Sequence, residues 1–207
     1  MTCPLSNHPL RNSISLQLKS HPLLAGLDNK AHAELFAMLH VQEGHRGERL
    51  LEQGSRELRH FFVVEGLLKR VVTSPEGREM TLHFAREGDF ETCYEAWRQQ
   101  SGSAFAIICA KRALLASLPM SDWVAFMERH PAARLAFQDR VLQLGAAIVD
   151  HAVALLLLDA PSRVHQFSFR HPELVERLPQ KDVASHLNLS AETLCRLTRR
   201  HRPALAA

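Results

Sequence analysis

The residues best suited to chemistry cluster near the C-terminus, in Leu178–Arg200, LPQKDVASHLNLSAETLCRLTRR. Val183, Ala184 and Leu187 give one short helix an apolar face, and Asn188-Leu189 supply a turn. Ser190 then caps a second helix whose Leu194 and Leu197 point inward. Asn is, after Gly, the residue that best tolerates the left-handed backbone of such a turn. The small Ala184 lets the two helices cross closely, which describes a helix-turn-helix. The outer face of the second helix carries Ala191, Glu192, Cys195, Arg196, Arg199 and Arg200, with Arg202 just beyond. Arg can fork onto guanine O6 and N7, and Glu can accept from cytosine N4, so this face suits the major groove of double-stranded DNA. The same pattern also fits a basic helical hairpin that merely docks on the rest of the protein.

No other constellation competes with it. The sequence has no Gly-rich phosphate loop, no GxSxG, and no paired acids or nucleophile–base set, which argues against an enzyme. The thirteen histidines include no HxH or HExxH, and His165 and His171 stand six apart. No metal site is assigned, ordinary surface histidines are expected, and a His-ligated haem stays open. The four cysteines (Cys3, Cys93, Cys109, Cys195) lie far apart without a CxxC, so neither a zinc ribbon nor a disulfide framework is indicated. The start, MTCPLSNHPLRNSIS, has no secretory apolar stretch, and uninterrupted apolar runs reach only seven residues (Ala104–Ala110, Ala152–Leu158). A cytoplasmic protein that makes no use of a membrane is the expectation. Residues 161–207 carry 8 Lys/Arg against 4 Asp/Glu, whereas residues 1–160 carry 17 against 18, so a basic unit follows a neutral body. That asymmetry points to a polyanionic partner.

Glycine spacing locates the element that precedes the basic unit. Gly44, Gly54, Gly66, Gly77 and Gly88 recur every 10 to 12 residues, and none follows Gly145. Between them lie the β-rich runs Arg49–Leu51, Phe61–Val64, Leu67–Thr73 and Glu79–Phe84, and Phe105–Cys109 and Leu114–Leu118 add two more. Such spacing indicates an antiparallel sandwich or barrel, with Ser74-Pro75-Glu76-Gly77 as a hairpin turn and a helix at Asn29–Leu39. The second half is helical. Ser121-Asp122 can cap a first helix, and His130-Pro131 interrupts it. From Ala132 to Leu158 two heptad rows run side by side, Leu135, Leu142, Val149, Leu156 and Val141, Ile148, Leu155. A seam of that length suits pairing with the same helix of a second subunit, through Leu135, Val141, Leu142, Ile148 and Val149. A helix lying on its own β-unit is the other option. Asp159-Ala160-Pro161-Ser162 breaks the helix. The expected class is therefore α+β: an N-terminal tail (1–20), a β-roll (21–120), a dimerisation helix (121–158) and a helix-turn-helix domain (159–207).

The order of these parts resembles the CRP/FNR superfamily of bacterial transcription regulators over almost the whole chain. Leu50-Leu51-Glu52-Gln53-Gly54, Phe61-Phe62-Val63-Val64-Glu65-Gly66, Pro75-Glu76-Gly77-Arg78-Glu79 and Glu87-Gly88-Asp89-Phe90 resemble the family's β-roll signatures in their usual order. The resemblance implies a homodimer on an inverted-repeat operator, switched by an effector in the β-roll and with RNA polymerase as a further partner left open. Glu192-Thr193-Leu194-Cys195-Arg196 is similar to the FNR-branch Glu-Thr-Ile-Ser-Arg, which implies base reading by Glu192 and Arg196. Cys195 replaces a serine there and is a weaker donor. Gln180, Ser190, Thr193 and Arg199 would contact phosphate.

Departures from the family pattern narrow the effector without naming it. Cyclic-nucleotide-binding members carry a Gly-Glu and an Arg-Ser/Thr-Ala, where this chain has Thr92-Cys93 and Gly102-Ser103-Ala104. Loss of the phosphate arginine argues against ordinary cAMP or cGMP. Only Cys3 precedes Cys93, so the four thiolates of an iron–sulfur cluster are missing. Cys93 reads as a buried structural thiol before a redox-sensitive one. Pro203 is expected to close the helix, and the family's β-hairpin wing is not expected in the few residues that follow it here. A sensor that dimerises with a degenerate helix-turn-helix and holds no DNA is the alternative that follows.

Overall fold

The computed structural model describes residues 2–201, without the side chains of Arg200 and His201. The expectations placed on those two side chains, on Arg202 and on the segment from Pro203 onward lie outside the described residues. Strands β1 (Thr2–Pro4), β2 (His40–Gly44), β3 (Arg49–Leu51), β4 (Arg59–Glu65), β5 (Leu68–Thr73), β6 (Glu79–Ala85), β7 (Phe90–Thr92), β8 (Ala106–Cys109) and β9 (Ala113–Pro119) form two antiparallel sheets. One runs β1-β2-β9-β4-β7 and the other β3-β8-β5-β6. Helices α1 (Arg11–Lys19), α2 (Asn29–Met38), α3 (Tyr94–Arg98) and α4 (Met120–Arg129) flank them. The run His60–Val64 in β4 is buried throughout, because α1 and α4 cover the face that the sandwich interior does not. At Gly66, between β4 and β5, φ is +94° and an added Cβ would lie 2.2 Å from the Arg112 carbonyl oxygen, so only glycine fits.

Two local expectations are corrected. Of the expected tail 1–20, the described residues 2–20 are folded: β1 pairs with β2, and Leu5, Ile14 and Leu18 are buried. Ile14 and Leu18 stand one turn apart on α1, which also donates the Gln17 amide to the Val64 carbonyl at 2.5 Å. Nor do Ser121 and Asp122 cap α4. Pro119 occupies that position and the Ser121 hydroxyl donates to Asp122 instead.

His130 ends α4, and Pro131 opens the 27-residue α5 (Pro131–Leu157). Its first turns anchor in the β-roll, with Ala133 and Phe137 fully buried and Arg140 paired to Asp89 at 3.2 Å. The two heptad rows separate. Val141 packs on the β-roll core, while Ile148 and Leu155 are half-buried toward the chain's own domains. Leu135, Leu142, Val149 and Leu156 remain 60%, 72%, 61% and 83% exposed, one stripe along the opposite face. By length and composition α5 is also apolar enough to cross a bilayer, with mean hydropathy 1.6 over its most apolar stretch, although no single apolar run is long. No residue of that stretch is fully buried: Ile148, His151 and Leu155 are half-buried toward the rest of the chain, and the opposite stripe is open.

Asp159 caps α6 (Ala160–Arg170) by accepting from the Ser162 amide at 2.9 Å, so the predicted break starts a new helix. Then follow α7 (Pro172–Arg177), α8 (Gln180–His186) and α9 (Ala191–His201). Val164, Phe167, Leu174, Leu178, Val183, Ala184, Leu187, Leu194 and Leu197 form their core, which is continuous with Leu67, Phe84 and Ala110 of the β-roll.

Candidate nucleic-acid interface

The turn between α8 and α9 has the geometry of a helix-turn-helix. Asn188 adopts φ +54°, and Ala184, Leu194 and Leu197 are buried where the helices cross. The Ser190 hydroxyl accepts from the Thr193 amide at 3.1 Å and donates to the Thr193 hydroxyl at 2.9 Å. This satisfies an orphan donor at the start of α9 and fixes the angle at which the helix leaves the turn.

The predicted residues divide into three groups. Glu192, Arg196 and Arg199 are exposed along one stripe, spaced four and three residues apart, and no carboxylate pairs with either arginine among the described residues. Ser190 and Thr193 are engaged in the cap. Gln180 and Cys195 line a groove of about 520 Å³ between α9 and the α6–α8 framework, with Arg199 at the same groove. Cys195 is half-buried there, off the stripe that reaches solvent most fully.

Sequence reasoning missed how firmly this unit is held on the β-roll. Lys69 Nζ lies 2.6 Å from Asp182 Oδ1, and both side chains are largely buried. Arg177 clasps both carboxylate oxygens of Glu87 at 2.8 and 2.5 Å, and Glu87 Oε1 also accepts from the Gly66 amide. The Arg177 fork holds the Glu87 carboxyl down to about 2. Arg78 of the β5–β6 turn donates to the Asn188 side chain, the Thr81 amide donates to the Ser185 hydroxyl at 3.1 Å, and Arg86 pairs with Glu173 at 2.9 Å. The partners stand about ninety to a hundred and ten positions apart, so no local pattern announces them. These bonds seat α8 against β6 and leave the stripe of α9 facing out.

Inside the β-roll a buried ion pair joins the sheets. Arg70 of β5 donates to Glu91 of β7 from Nη2 at 2.6 Å and Nε at 3.2 Å, and to the Thr92 carbonyl at 3.3 Å. Its guanidinium lies 3.9 Å from the Phe105 ring centroid. Beside it, burial pushes the Cys93 thiol up to about 11, which keeps it protonated and opposes a redox role. Among the described residues no group of three or more His, Cys, Asp or Glu side chains is arranged to hold a metal ion.

No protein-family model matches the chain, and no curated protein matches it. Solved structures do. FixK2 from Bradyrhizobium japonicum superposes with a TM-score of 0.69 at 15% identity, covering 79% of this chain and 84% of that one. The c-di-GMP responsive global regulator CLP from Xanthomonas campestris gives 0.69 at 13%, covering 85% and 92%. A protein from Eubacterium rectale described as a transcriptional regulator of the CRP/FNR family gives 0.70 at 17%, covering 88% and 87%. The chain has the fold of these regulators: an antiparallel β-roll, a long helix and a C-terminal helical unit.

Proposed function

We propose that the chain is a DNA-binding transcription regulator of the CRP/FNR type. It works in the cytoplasm as a homodimer on an inverted repeat, under an effector still to be identified. The observation that carries this reading is the exposed Glu192–Arg196–Arg199 stripe on a side-chain-capped second helix. Glu192 and Arg196 read base edges, while Arg199 and Gln180 position the helix on phosphate. Cys195 flanks the groove side and contributes an apolar edge, and Ser190 and Thr193 act by holding the helix start. Pairing through Leu135, Leu142, Val149 and Leu156 brings two such helices together, as two-fold symmetric half-sites require. The signal is sensed by the β-roll or by elements packed on it, and Gly102-Ser103-Ala104 in place of the family's phosphate-gripping arginine supports an effector other than a cyclic nucleotide. Catalysis has no part in this reading.

Gel shift of the full chain on duplexes of random sequence, over a range of salt, tests it. DNA binding that weakens steeply as salt rises is expected, because phosphate neutralisation releases counterions. A dimer that shifts no duplex even at low salt would support the alternative, a sensor without DNA contact.

A further inference from the structure

A cavity of about 360 Å³ lies where β6, α5, α6 and α8 meet. Its walls include Phe84, Ile148, Phe167 and Leu174, so much of its lining is apolar. Arg163 and Arg170, two turns apart on one face of α6, line it together with Arg86, and Arg86 is already paired with Glu173. Arg170 is exposed and has no carboxylate partner among the described residues. Arg163 donates Nη1 to the Leu155 carbonyl at 3.1 Å, but its buried Nε has no hydrogen-bond partner. Three acids also line the cavity: Asp89 is paired with Arg140 and Glu173 with Arg86, while Asp150, at its α5 rim, has no cation partner among the described residues.

Imidazoles complete the lining. His151 and His186 stack in parallel at 3.8 Å, His151 Nε2 bonds the His186 carbonyl oxygen, and His186 Nδ1 bonds the Thr81 carbonyl oxygen. His83 and His171 share the cavity. Burial holds His83 down to about 4 and His186 down to about 3, so both rings are neutral at pH 7. The fixed positive charge therefore belongs to the arginines. A buried guanidinium N–H without a partner is a donor awaiting an acceptor, and an enclosure of this size is typical of small-molecule sites.

We propose that this junction cavity binds a small amphiphilic anion: a planar apolar body carrying one oxyanion, such as a carboxylate or sulfonate. The oxyanion meets Arg163 and Arg170, which present planar forks suited to it, and the body lies against Phe84, Phe167 and Ile148. Because the walls come from the β-roll, the long helix and the helix-turn-helix, an occupant ties all three together. As an effector site the cavity rests on the DNA-binding reading; as a ligand site it does not.

Titration of the full chain with anilinonaphthalene sulfonate, without DNA, tests the proposal. Saturable binding of one probe per chain is expected, displaced by naphthoate but not by the uncharged naphthalenemethanol. Arg170→Gln should weaken the probe roughly tenfold, the loss of a charged hydrogen bond. Ala147→Trp, which fills the cavity from α5, should abolish binding. Both variants should melt as the parent does. Absence of saturable binding, equal displacement by the alcohol, or unchanged affinity in both variants would overturn the site and leave the DNA reading untouched.

Discussion

Leu142→Ala separates the two faces of α5. Leu142 is 72% exposed on the isolated chain, so its truncation removes little from the monomer. Fully burying a leucine contributes about 1.5–3 kcal/mol. Scaled by the exposed fraction, each Leu142 adds about 1–2 kcal/mol to a dimer, and the two symmetric copies about 2–4 kcal/mol. The dimer dissociation constant should therefore rise roughly 30- to 700-fold. Val141→Ala is the internal control, because Val141 packs on the chain's own β-roll. It should lower the melting temperature and leave the dimer constant nearly unchanged. Sedimentation velocity across a concentration series, with thermal melts alongside, measures both. The reasoning fails if the parent sediments as a single chain at every concentration, or if Val141→Ala weakens the dimer as much as Leu142→Ala.

Other outcomes follow from individual contacts. Arg196→Ala should cost about 1–3 kcal/mol at one base pair and relax preference there, whereas Arg199→Ala should weaken all sequences alike and reduce the salt slope by about one, both read by competition gel shift. Stability should fall as pH drops from 6.5 toward 4. The unfolded chain takes up protons on His83 and His186 near 6.5, but the folded chain does so only near 4 and 3. Glu87, held at about 2, extends the loss below 4.5. Melting curves from pH 7.5 to 4 check the slope, which His83→Leu should flatten. His60 is fully buried with both ring nitrogens unpartnered and stacks on Trp123 at 4.5 Å. His60→Phe should therefore stabilise the chain by about 1 kcal/mol in chemical denaturation, the cost of an unsatisfied polar group being relieved.

The parts legible in the sequence are those specified by local chemistry. Glycine spacing and β-rich runs located β3 to β6, β8 and β9 within a few residues, and Asn188 and Ser190 marked the turn and cap that the structure contains. β7 went unread because the charged Glu91 stands at its centre, and its burial depends on Arg70 of the other sheet, distant in sequence. Residues 2–20 were expected as a tail because α1 buries only Ile14 and Leu18. The heptad rows of α5 were visible, but which row turns inward depends on the β-roll beneath it. The clamp on the helix-turn-helix was invisible, since Lys69–Asp182 and Glu87–Arg177 become neighbours only in the folded chain.

Selection from a random duplex library by the full chain tests most directly whether the stripe on α9 reads DNA. An enriched inverted repeat is predicted, its half-sites one helical turn apart and its preference relaxed at one position by Arg196→Ala. A selected pool as random as the input, from a protein shown to be folded and dimeric, would contradict the reading.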